Sequence, residues 1–324
     1  MTTSSTGPGY GSLTILILGG SGFIGTNLAA QLAQRGHRVI ATGRADARAG
    51  AEGGDTQAGA SITNVSTALA DVDAIAAIVE SRSVDRVVHL ASALKPASSL
   101  ADYLAERETV LTPSFALAEV LAQRSIPLVY FSSGGTVYGA GTGECAHEDD
   151  PLAPISYYGH SKLETEEHLR FLHRTRNLPY LIVRPSNPYG PGQSLTGNQG
   201  LVSVLLGKVA GGRGLDVWGD GSTVRDYIHI ADLCHAVCAL IEGEPLNSAV
   251  NVGSGIGHTL LDVVGIVERV LGQEVPLSFK PARQVDVPRL VLDIGRLKAL
   301  GLADARPLET GIRDYARQLG MPGG

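Results

Sequence analysis

The chain is short of cysteine and of long apolar runs, and both shortages exclude classes of protein. Three cysteines among 324 residues cannot build a disulfide framework, and there is no Cys-x-x-Cys pair for metal or dithiol redox chemistry. Cys234 and Cys238 lie four residues apart in an apolar stretch, where buried structural thiols are expected. The cysteine pattern therefore predicts no bound metal. No apolar run reaches the roughly 18 residues that span a bilayer, so the sequence predicts no membrane span either.

An excess of basic residues is also missing. The 26 Lys and Arg residues are outnumbered by 32 Asp and Glu, which gives a net charge of −6. Nucleic-acid binders normally carry a basic face, so no nucleic-acid partner is expected. The start, MTTSSTGPGYGS, has neither a basic segment nor an apolar one. We therefore interpret residues 1–11 as a disordered tail and expect a soluble, cytoplasmic protein.

Glycine is plentiful, at 41 residues, and apolar runs alternate with helical patterns along the chain. The apolar runs predict strands at residues 13–18, 39–41, 85–90, 127–132, 179–183 and 249–255. Helices are predicted at residues 23–35, where Gly36 would end the helix, and at 101–124 and 157–176. This alternation is typical of an α/β fold with a doubly wound parallel sheet.

The segment GGSGFIG, residues 19–25, lies between the first predicted strand and the first predicted helix. Glycines at such a turn let backbone N–H groups approach a pyrophosphate, which the following helix N-terminus then stabilises. In this strand–turn–helix context the spacing predicts a dinucleotide-binding site.

The end of the predicted second strand indicates which dinucleotide binds. An NAD site usually has an acid there that bonds the ribose hydroxyls, but this strand ends in Thr42-Gly43-Arg44. A carboxylate would repel a 2′-phosphate, whereas a guanidinium after a small residue attracts one. We therefore predict NADP(H), with NAD as the alternative because Asp46 remains available to a ribose.

Tyr158 and Lys162 lie four residues apart in a predicted helix, and hence on one face of it. A free phenol has a pKa of about 10, too high for easy proton exchange at neutral pH. A neighbouring ammonium favours the phenolate and lowers that pKa by ~1–3 units. The pair is typical of a general acid/base that interconverts a carbinol and a carbonyl.

Six motifs in this chain resemble, in the same order, those of the extended short-chain dehydrogenase/reductase family. The branch is that of nucleotide-sugar epimerases, dehydratases and reductases, including UDP-glucose 4-epimerase-like proteins. The motifs are GGSGFIG, HLAS (89–92), SSGGTVYG (132–139), YxxxK (158–162), RPSNPYGPG (184–192) and WGDGSTVRDYIHIADL (218–233). The resemblance implies a Rossmann-type doubly wound parallel sheet with a smaller C-terminal substrate-binding domain. It assigns residues 12–185 and 226–255 to the dinucleotide domain, and 186–225 and 256–324 to the nucleotide-sugar domain.

The resemblance also implies the site residues. Tyr158 becomes the acid/base, Lys162 binds the nicotinamide ribose, and Asp71 meets the adenine amine. The implied cofactor contacts are Gly19, Gly22, Phe23, Ile24, Gly25, Arg44, Asp71, Val72, Leu90, Ala91, Ser92 and Lys162. The implied contacts to a UDP- or dTDP-linked sugar are Asn187, Arg225, Arg283 and Asp286.

One position departs from the family pattern. Relatives usually carry Ser or Thr where this chain has Gly134, and that hydroxyl bonds the sugar hydroxyl that is oxidised. We assign the role to Ser133, with Ser132, Thr136 or a water as alternatives. Gly135 and Thr136 stand where 4,6-dehydratases carry an Asp-Glu pair, so elimination chemistry is not expected.

Three functions remain open at this point. Gly43 and Arg44 favour NADPH-dependent reduction of a nucleotide-linked 4-ketosugar, with Tyr158 as general acid. The motif VRDYIHIADL favours a nucleotide-hexose 4-epimerase that keeps NAD tightly bound. A non-catalytic dinucleotide sensor is the third possibility, supported by the missing hydroxyl at Gly134.

The resemblance further implies a homodimer that pairs through the helices at residues 101–124 and 157–176. The leucines available for that contact in the second helix are Leu163, Leu169 and Leu172. Trp218 is left between two roles, one near the nucleotide base and one in the core.

Overall fold

The computed structural model describes residues 11–43, 61–140, 143–197, 199–281 and 287–322. Its strands are β1 (Thr14–Leu18), β2 (Arg38–Gly43), β3 (Ser61–Ser66), β4 (Arg86–His89), β5 (Leu128–Phe131), β6 (Tyr180–Pro185), β7 (Asn187–Tyr189), β8 (Leu215–Trp218), β9 (Val224–His229), β10 (Ser248–Val252), β11 (Gly257–Thr259), β12 (Leu277–Lys280) and β13 (Arg289–Leu290). Its helices are α1 (Phe23–Gln34), α2 (Val72–Ser81), α3 (Leu100–Glu106), α4 (Thr112–Gln123), α5 (Tyr157–Arg176), α6 (Leu201–Ala210), α7 (Ile230–Glu242), α8 (Leu260–Leu271), α9 (Gly295–Ala299) and α10 (Leu308–Gln318).

Seven parallel strands form the central sheet, in the order β10-β6-β5-β4-β1-β2-β3. In β1, Ile15 and Ile17 join the apolar layer that contains α1 and α7. Leu16 and Leu18 join the opposite layer, with α2, α4 and α5. Because both faces are covered, the strand is apolar throughout. The predicted Rossmann-type doubly wound fold is therefore confirmed, and the strand order reverses between β1 and β4.

Three features differ from the sequence-based expectation. The strand at residues 85–90 is the fourth, not the third, because β3 precedes it with the polar sequence SITNVS at the edge of the sheet. Helix α2 was not predicted. The expected helix at 101–124 is interrupted by a π-helical turn at Arg107–Leu111. The C-terminal end of α1 agrees with the prediction, because Gly36 follows the helix in the left-handed region, with φ +93°.

The C-terminal part adds a smaller unit beside the sheet. Helices α6, α8 and α10 pack around a separate apolar cluster. Strands β7, β11 and β13 all pair with β9, and β8 pairs with β12. The buried carboxylate of Asp226, in β9, accepts hydrogen bonds from Ser254 Oγ at 2.7 Å and from the Gly255 N–H at 3.1 Å. This contact ties β9 to the loop that follows β10, at the edge of the central sheet.

Several single-residue expectations are also tested by the packing. Leu169 and Leu172 face the core and are fully buried, so the prediction that they contribute to a dimer contact is wrong. Cys234 and Cys238 are buried structural thiols, as expected. No helix within the described ranges is long and apolar enough to cross a membrane. The same residues contain no group of three side chains that could hold a metal ion.

Candidate active site

Tyr158 and Lys162 lie in the first two turns of α5, which packs against the sheet. Ser156 caps the helix by accepting a hydrogen bond from the Gly159 N–H at 3.1 Å. A Cβ atom at Gly159 would lie 2.8 Å from the Thr136 carbonyl oxygen. The missing side chain therefore lets α5 approach the loop after β5, which carries the SSGGTVYG motif.

Lys162 is buried beside the phenol. It is 4% exposed, and its Nζ donates a hydrogen bond to the Phe131 carbonyl oxygen at 2.9 Å. The same nitrogen lies 5.6 Å from the centre of the Tyr158 ring. Burial lowers the pKa of Lys162 to about 8, although the carboxylates of Glu106 and Glu166 act to raise it.

The pKa of the Tyr158 phenol is raised, whereas its spacing to Lys162 predicted that it would be lowered. Burial raises its pKa to about 12, a hydrogen bond with Ser133 acts in the opposite direction, and Glu106 raises the pKa further. Ser133, Tyr158 and Lys162 are thus brought together, as the sequence analysis proposed for the catalytic group.

A side chain at position 134 could not supply the hydroxyl that the family usually carries there. A Cβ atom there would lie 2.7 Å from Leu292 Cδ1 and 2.9 Å from the Pro185 carbonyl oxygen. Its side-chain direction therefore leads into the packing under the loop. The neighbouring hydroxyl, on Ser133, is the one that meets Tyr158.

The glycine-rich turn between β1 and α1 has the shape of a phosphate cradle. Gly19 has φ +83°, and a Cβ atom at Gly25 would lie 2.5 Å from the Gly19 carbonyl oxygen. Gly22 precedes α1 and caps it without a side chain. The N–H groups of the first helical residues, Phe23 and Ile24, therefore stand at an uncapped helix N-terminus, which suits a pyrophosphate.

The other predicted cofactor residues that the structure describes follow β3 and β4, at the same edge of the sheet as the cradle. Leu90, Ala91 and Ser92 follow β4, and the Leu90 N–H donates to the Leu18 carbonyl oxygen at 2.9 Å. Asp71 lies before Val72 and caps α2 by accepting from the Ala74 N–H at 3.0 Å, and its contact with the adenine amine stays a prediction. Arg44 lies outside the described residues.

A buried carboxylate that the sequence analysis missed belongs to this group. Glu106, 5% exposed, accepts hydrogen bonds from the Ser92 hydroxyl at 2.7 Å and from the Ala93 and Leu94 N–H groups at 2.5 and 2.9 Å. A glutamate within a helical pattern normally indicates a solvated face, so the pattern contained no signal for it.

Two of the four predicted substrate residues lie on the paired strands β7 and β9. Asn187 donates from Nδ2 to the Asp226 carbonyl oxygen at 2.8 Å, and Arg225 precedes Asp226 in β9. A Cβ atom at Gly135 would lie 3.8 Å from both Asn187 Oδ1 and Ser133 Oγ, so these two polar groups border one opening. Trp218 is 44% exposed, which excludes the core role. The remaining two substrate residues, Arg283 and Asp286, lie outside the described residues.

The chain is similar to known proteins in both sequence and fold. The model of the NAD dependent epimerase/dehydratase family matches residues 15–253. A dTDP-4-dehydro-6-deoxyglucose reductase from Escherichia coli is 32% identical over 237 residues, covering 72% of this chain and 75% of that protein. The UDP-glucose 4-epimerase of Thermotoga maritima, solved with UDP-glucose, has a TM-score of 0.85 at 28% identity, over 95% of this chain and 99% of that one. The Thermus thermophilus UDP-glucose 4-epimerase, solved with NAD, has a TM-score of 0.84 at 28% identity, with the same coverages.

Proposed function

The chain belongs to the NAD-dependent epimerase/dehydratase family, and we propose that it is an NADPH-dependent reductase of a 4-ketosugar linked to UDP or dTDP. The observation that carries the proposal is the group formed by Ser133, Tyr158 and Lys162 at the sheet edge that also carries the glycine cradle. In a doubly wound sheet, ligands bind outside the carboxyl ends of the strands where the strand order reverses, here between β1 and β4.

A nicotinamide dinucleotide fits the residues present. Cβ atoms at Gly19 and Gly25 would meet backbone atoms at 3.0 and 2.5 Å, so glycine is required there, and the N-terminus of α1 after Gly22 has no side-chain cap that would compete with a phosphate. Lys162 has two further N–H donors besides the one that Phe131 accepts, and these are available to ribose hydroxyls. When bound, the reduced nicotinamide supplies the hydride that reduces the ketone.

Tyr158 and Ser133 act on the oxygen of the substrate carbonyl. Since the pKa of Tyr158 is raised to about 12, the phenol carries its proton at neutral pH and can deliver it to the developing alkoxide. Ser133 donates a hydrogen bond to the same oxygen, and the charge of Lys162 stabilises the phenolate that remains.

The preference for NADPH rests on the end of β2. The strand ends at Gly43, so no carboxylate stands at the position where an NAD site usually has one. The guanidinium of Arg44, the next residue, would pair with a 2′-phosphate. At the other end of the site, Asn187, Arg225, Arg283 and Asp286 would bind the diphosphate and ribose of the nucleotide-sugar.

A 4-epimerase is the second candidate. It is favoured by the likeness to UDP-glucose 4-epimerases over nearly the whole chain. A 4-epimerase returns the hydride to the other face of its own 4-keto intermediate, so it keeps its cofactor bound and consumes none.

Fluorescence titration of the cofactor-stripped protein with NADPH and NADH separates the two. We expect NADPH to bind at least about tenfold more tightly, or ~1.4 kcal/mol, with free exchange. A dTDP-linked 4-keto-6-deoxysugar should then oxidise NADPH in equal amount. Co-purified NAD that resists removal, together with interconversion of UDP-glucose and UDP-galactose, would contradict the reductase and support the epimerase.

A homodimer is part of this proposal. Leu100 and Leu104, one turn apart on α3, are each 51% exposed, and Tyr157 and Phe171 on α5 are also exposed. The two helices are joined by a hydrogen bond from the Tyr103 hydroxyl to Glu164 at 2.8 Å. A second copy of the chain that covered these side chains would bury an apolar surface which the monomer leaves in water.

A further inference from the structure

A small polar cavity lies beside Lys162. It has a volume of about 10 Å³ and is lined by His89, Glu106, Ser114, Tyr130, Lys162 and Thr165, among others. Charged and neutral groups therefore share a space of low dielectric, where an unbalanced charge acts more strongly than in water.

Glu106 holds the loop after β4 beside this cavity. One carboxylate oxygen accepts from the Ser92 hydroxyl at 2.7 Å, and the other accepts from the Ala93 and Leu94 N–H groups. Both oxygens act only as acceptors, which is the pattern of an ionised carboxylate. Glu106 is the last residue of α3, directly before the π-helical turn Arg107–Leu111.

The other titratable groups around Lys162 are neutral or already paired. Glu166, on α5, binds Arg184 at 2.6 Å and Arg170 at 2.8 Å, so its charge is compensated by two guanidinium groups. His89, on β4, is neutral because burial, and then the charge of Lys162, lower its pKa to about 3. Burial raises the pKa of Tyr130, on β5, well above its ordinary value. Glu106 is bonded instead by uncharged N–H and O–H groups, and it lines the same cavity as Lys162.

We propose that Glu106 is a positioning residue that fixes residues 92–94 against the cofactor and keeps the Tyr158–Lys162 pair protonated. The inference rests on the proposed function, because a site biased towards proton donation serves ketone reduction. Direct contact with the substrate is not required of Glu106, which acts through the loop and through its charge.

The test is the pH dependence of NADPH affinity in Glu106→Gln, measured by fluorescence titration from pH 6 to 9.5 without any sugar. Loss of NADPH binding in the wild type should follow the deprotonation of Lys162, whose pKa is about 8. Without the carboxylate, we expect the midpoint to fall by at least about half a pH unit, since a nearby negative charge raises the pKa of an ammonium. We also expect NADPH affinity at pH 7 to fall about tenfold. The amide of glutamine has one acceptor oxygen, so it cannot accept both from the Ser92 hydroxyl and from the N–H groups of residues 93 and 94 as the two carboxylate oxygens do.

Two variants separate charge from loop position. Ser92→Ala removes one loop hydrogen bond and keeps the carboxylate, so it should weaken NADPH binding while the midpoint stays. Glu108→Gln removes an exposed carboxylate two residues away and should change neither quantity. If Glu106→Gln fails to fold, Glu106→Asp, which keeps the charge but shortens the reach to the loop, should weaken binding at the wild-type midpoint.

An unchanged midpoint in Glu106→Gln, or an equal shift in Glu108→Gln, would overturn the inference. Failure of the proposed function gives a different result, because a wild type that binds NADPH but reduces no ketosugar leaves these titrations intact. If the wild type binds NADH more tightly, the same comparison is made with NADH.

Discussion

The surroundings of Tyr158 act on the pKa of its phenol in opposite directions. Burial and Glu106 raise the pKa of the phenol, whereas the hydrogen bond with Ser133 lowers it. Such a balance suits a group that must give up a proton once per turnover and then recover it.

The variant Tyr158→Phe removes the proton donor and leaves the ring in place. We expect turnover to fall by ~10²–10⁴-fold, the usual contribution of general acid–base catalysis. NADPH affinity should stay close to that of the wild type, because Lys162 and the glycine cradle are unchanged. Steady-state rates and fluorescence titration check the two parts. Equal turnover in variant and wild type would contradict the assignment of the acid, and absence of turnover in both would favour the dinucleotide sensor.

We expect the hydroxyl that assists Tyr158 to be required at Ser133 and not to be replaceable by a hydroxyl at position 134. Ser133→Ala should lower turnover by about 10–100-fold, since one hydrogen bond to a developing charge is worth ~1.5–3 kcal/mol. Adding Gly134→Ser should not restore activity, because its Cβ atom would press against Leu292 Cδ1 and the Pro185 carbonyl oxygen. The double variant should also melt at a lower temperature. Recovery of activity by Gly134→Ser would show that the loop can rotate and that Ser133 is dispensable.

The difference between Tyr158 and Glu106 shows what sequence reasoning can reach at the residue scale. The Tyr158–Lys162 pair depends on a spacing of four within one helix, which the sequence contains. The position of Ser133 relative to Tyr158 depends on how a loop after β5 meets α5. The role of Glu106 depends on N–H groups twelve and thirteen residues away. Neither arrangement is encoded in a local pattern.

At the scale of elements, helices and strands with a buried face were predicted from the sequence, whereas an exposed strand was not. The predicted bounds of α5, 157–176, agree with the structure because a capping serine and a left-handed Asn177 limit a long periodic segment. The core strand β1 is nearly as clear, since all of its residues are buried. Strand β3 was missed because its exposed edge position permits the polar sequence SITNVS. Strand order requires contacts between distant segments and was not predictable.

Helix α7 begins with a histidine that makes the fold sensitive to acid. His229 caps the helix by accepting from the Ala231 N–H at 3.2 Å, and burial, followed by the charge of Arg306, lowers its pKa to about 4. The folded state therefore disfavours the imidazolium that the unfolded chain forms below its ordinary pKa of 6.5. The stabilisation is complete above pH 6.5 and is lost as the pH falls towards 4, by about 2 kcal/mol at pH 5.

His229→Asn should remove this sensitivity, because asparagine can cap the helix but does not titrate. We expect the loss of stability between pH 7 and pH 5 to be smaller than in the wild type by about 2 kcal/mol, measured by urea unfolding at both values. His229→Ala is the matched variant that loses the cap as well, so it should be less stable at pH 7 by ~1 kcal/mol. A pH dependence in His229→Asn equal to that of the wild type would show that other groups cause the acid sensitivity.

On the scale of the whole molecule, chemistry is collected at one edge of the central sheet. The cradle follows β1, the loop held by Glu106 follows β4, Ser133 follows β5, and Asn187 follows β6 with one residue between. Parallel strands make this possible, since all of their carboxyl ends lie at the same edge. The exposed apolar residues of α3 and α5, in contrast, lie on α5, which covers one face of the sheet, and on α3, which is bonded to α5. An interface there would leave the reacting edge open to ligands.

The proposed dimer predicts that Leu104→Glu yields a monomer. In a two-fold interface every substitution appears twice, so two carboxylates would replace two leucines whose burial contributes ~1.5–3 kcal/mol each. Light scattering after gel filtration at ~10 µM should find a wild-type dimer and a folded monomer for Leu104→Glu. The control is Leu246→Glu, which alters an exposed leucine far along the chain, in the loop before β10, and should remain dimeric. If the wild type is itself monomeric, or if both variants dissociate alike, the α3–α5 surface is not the interface and its apolar residues need another partner.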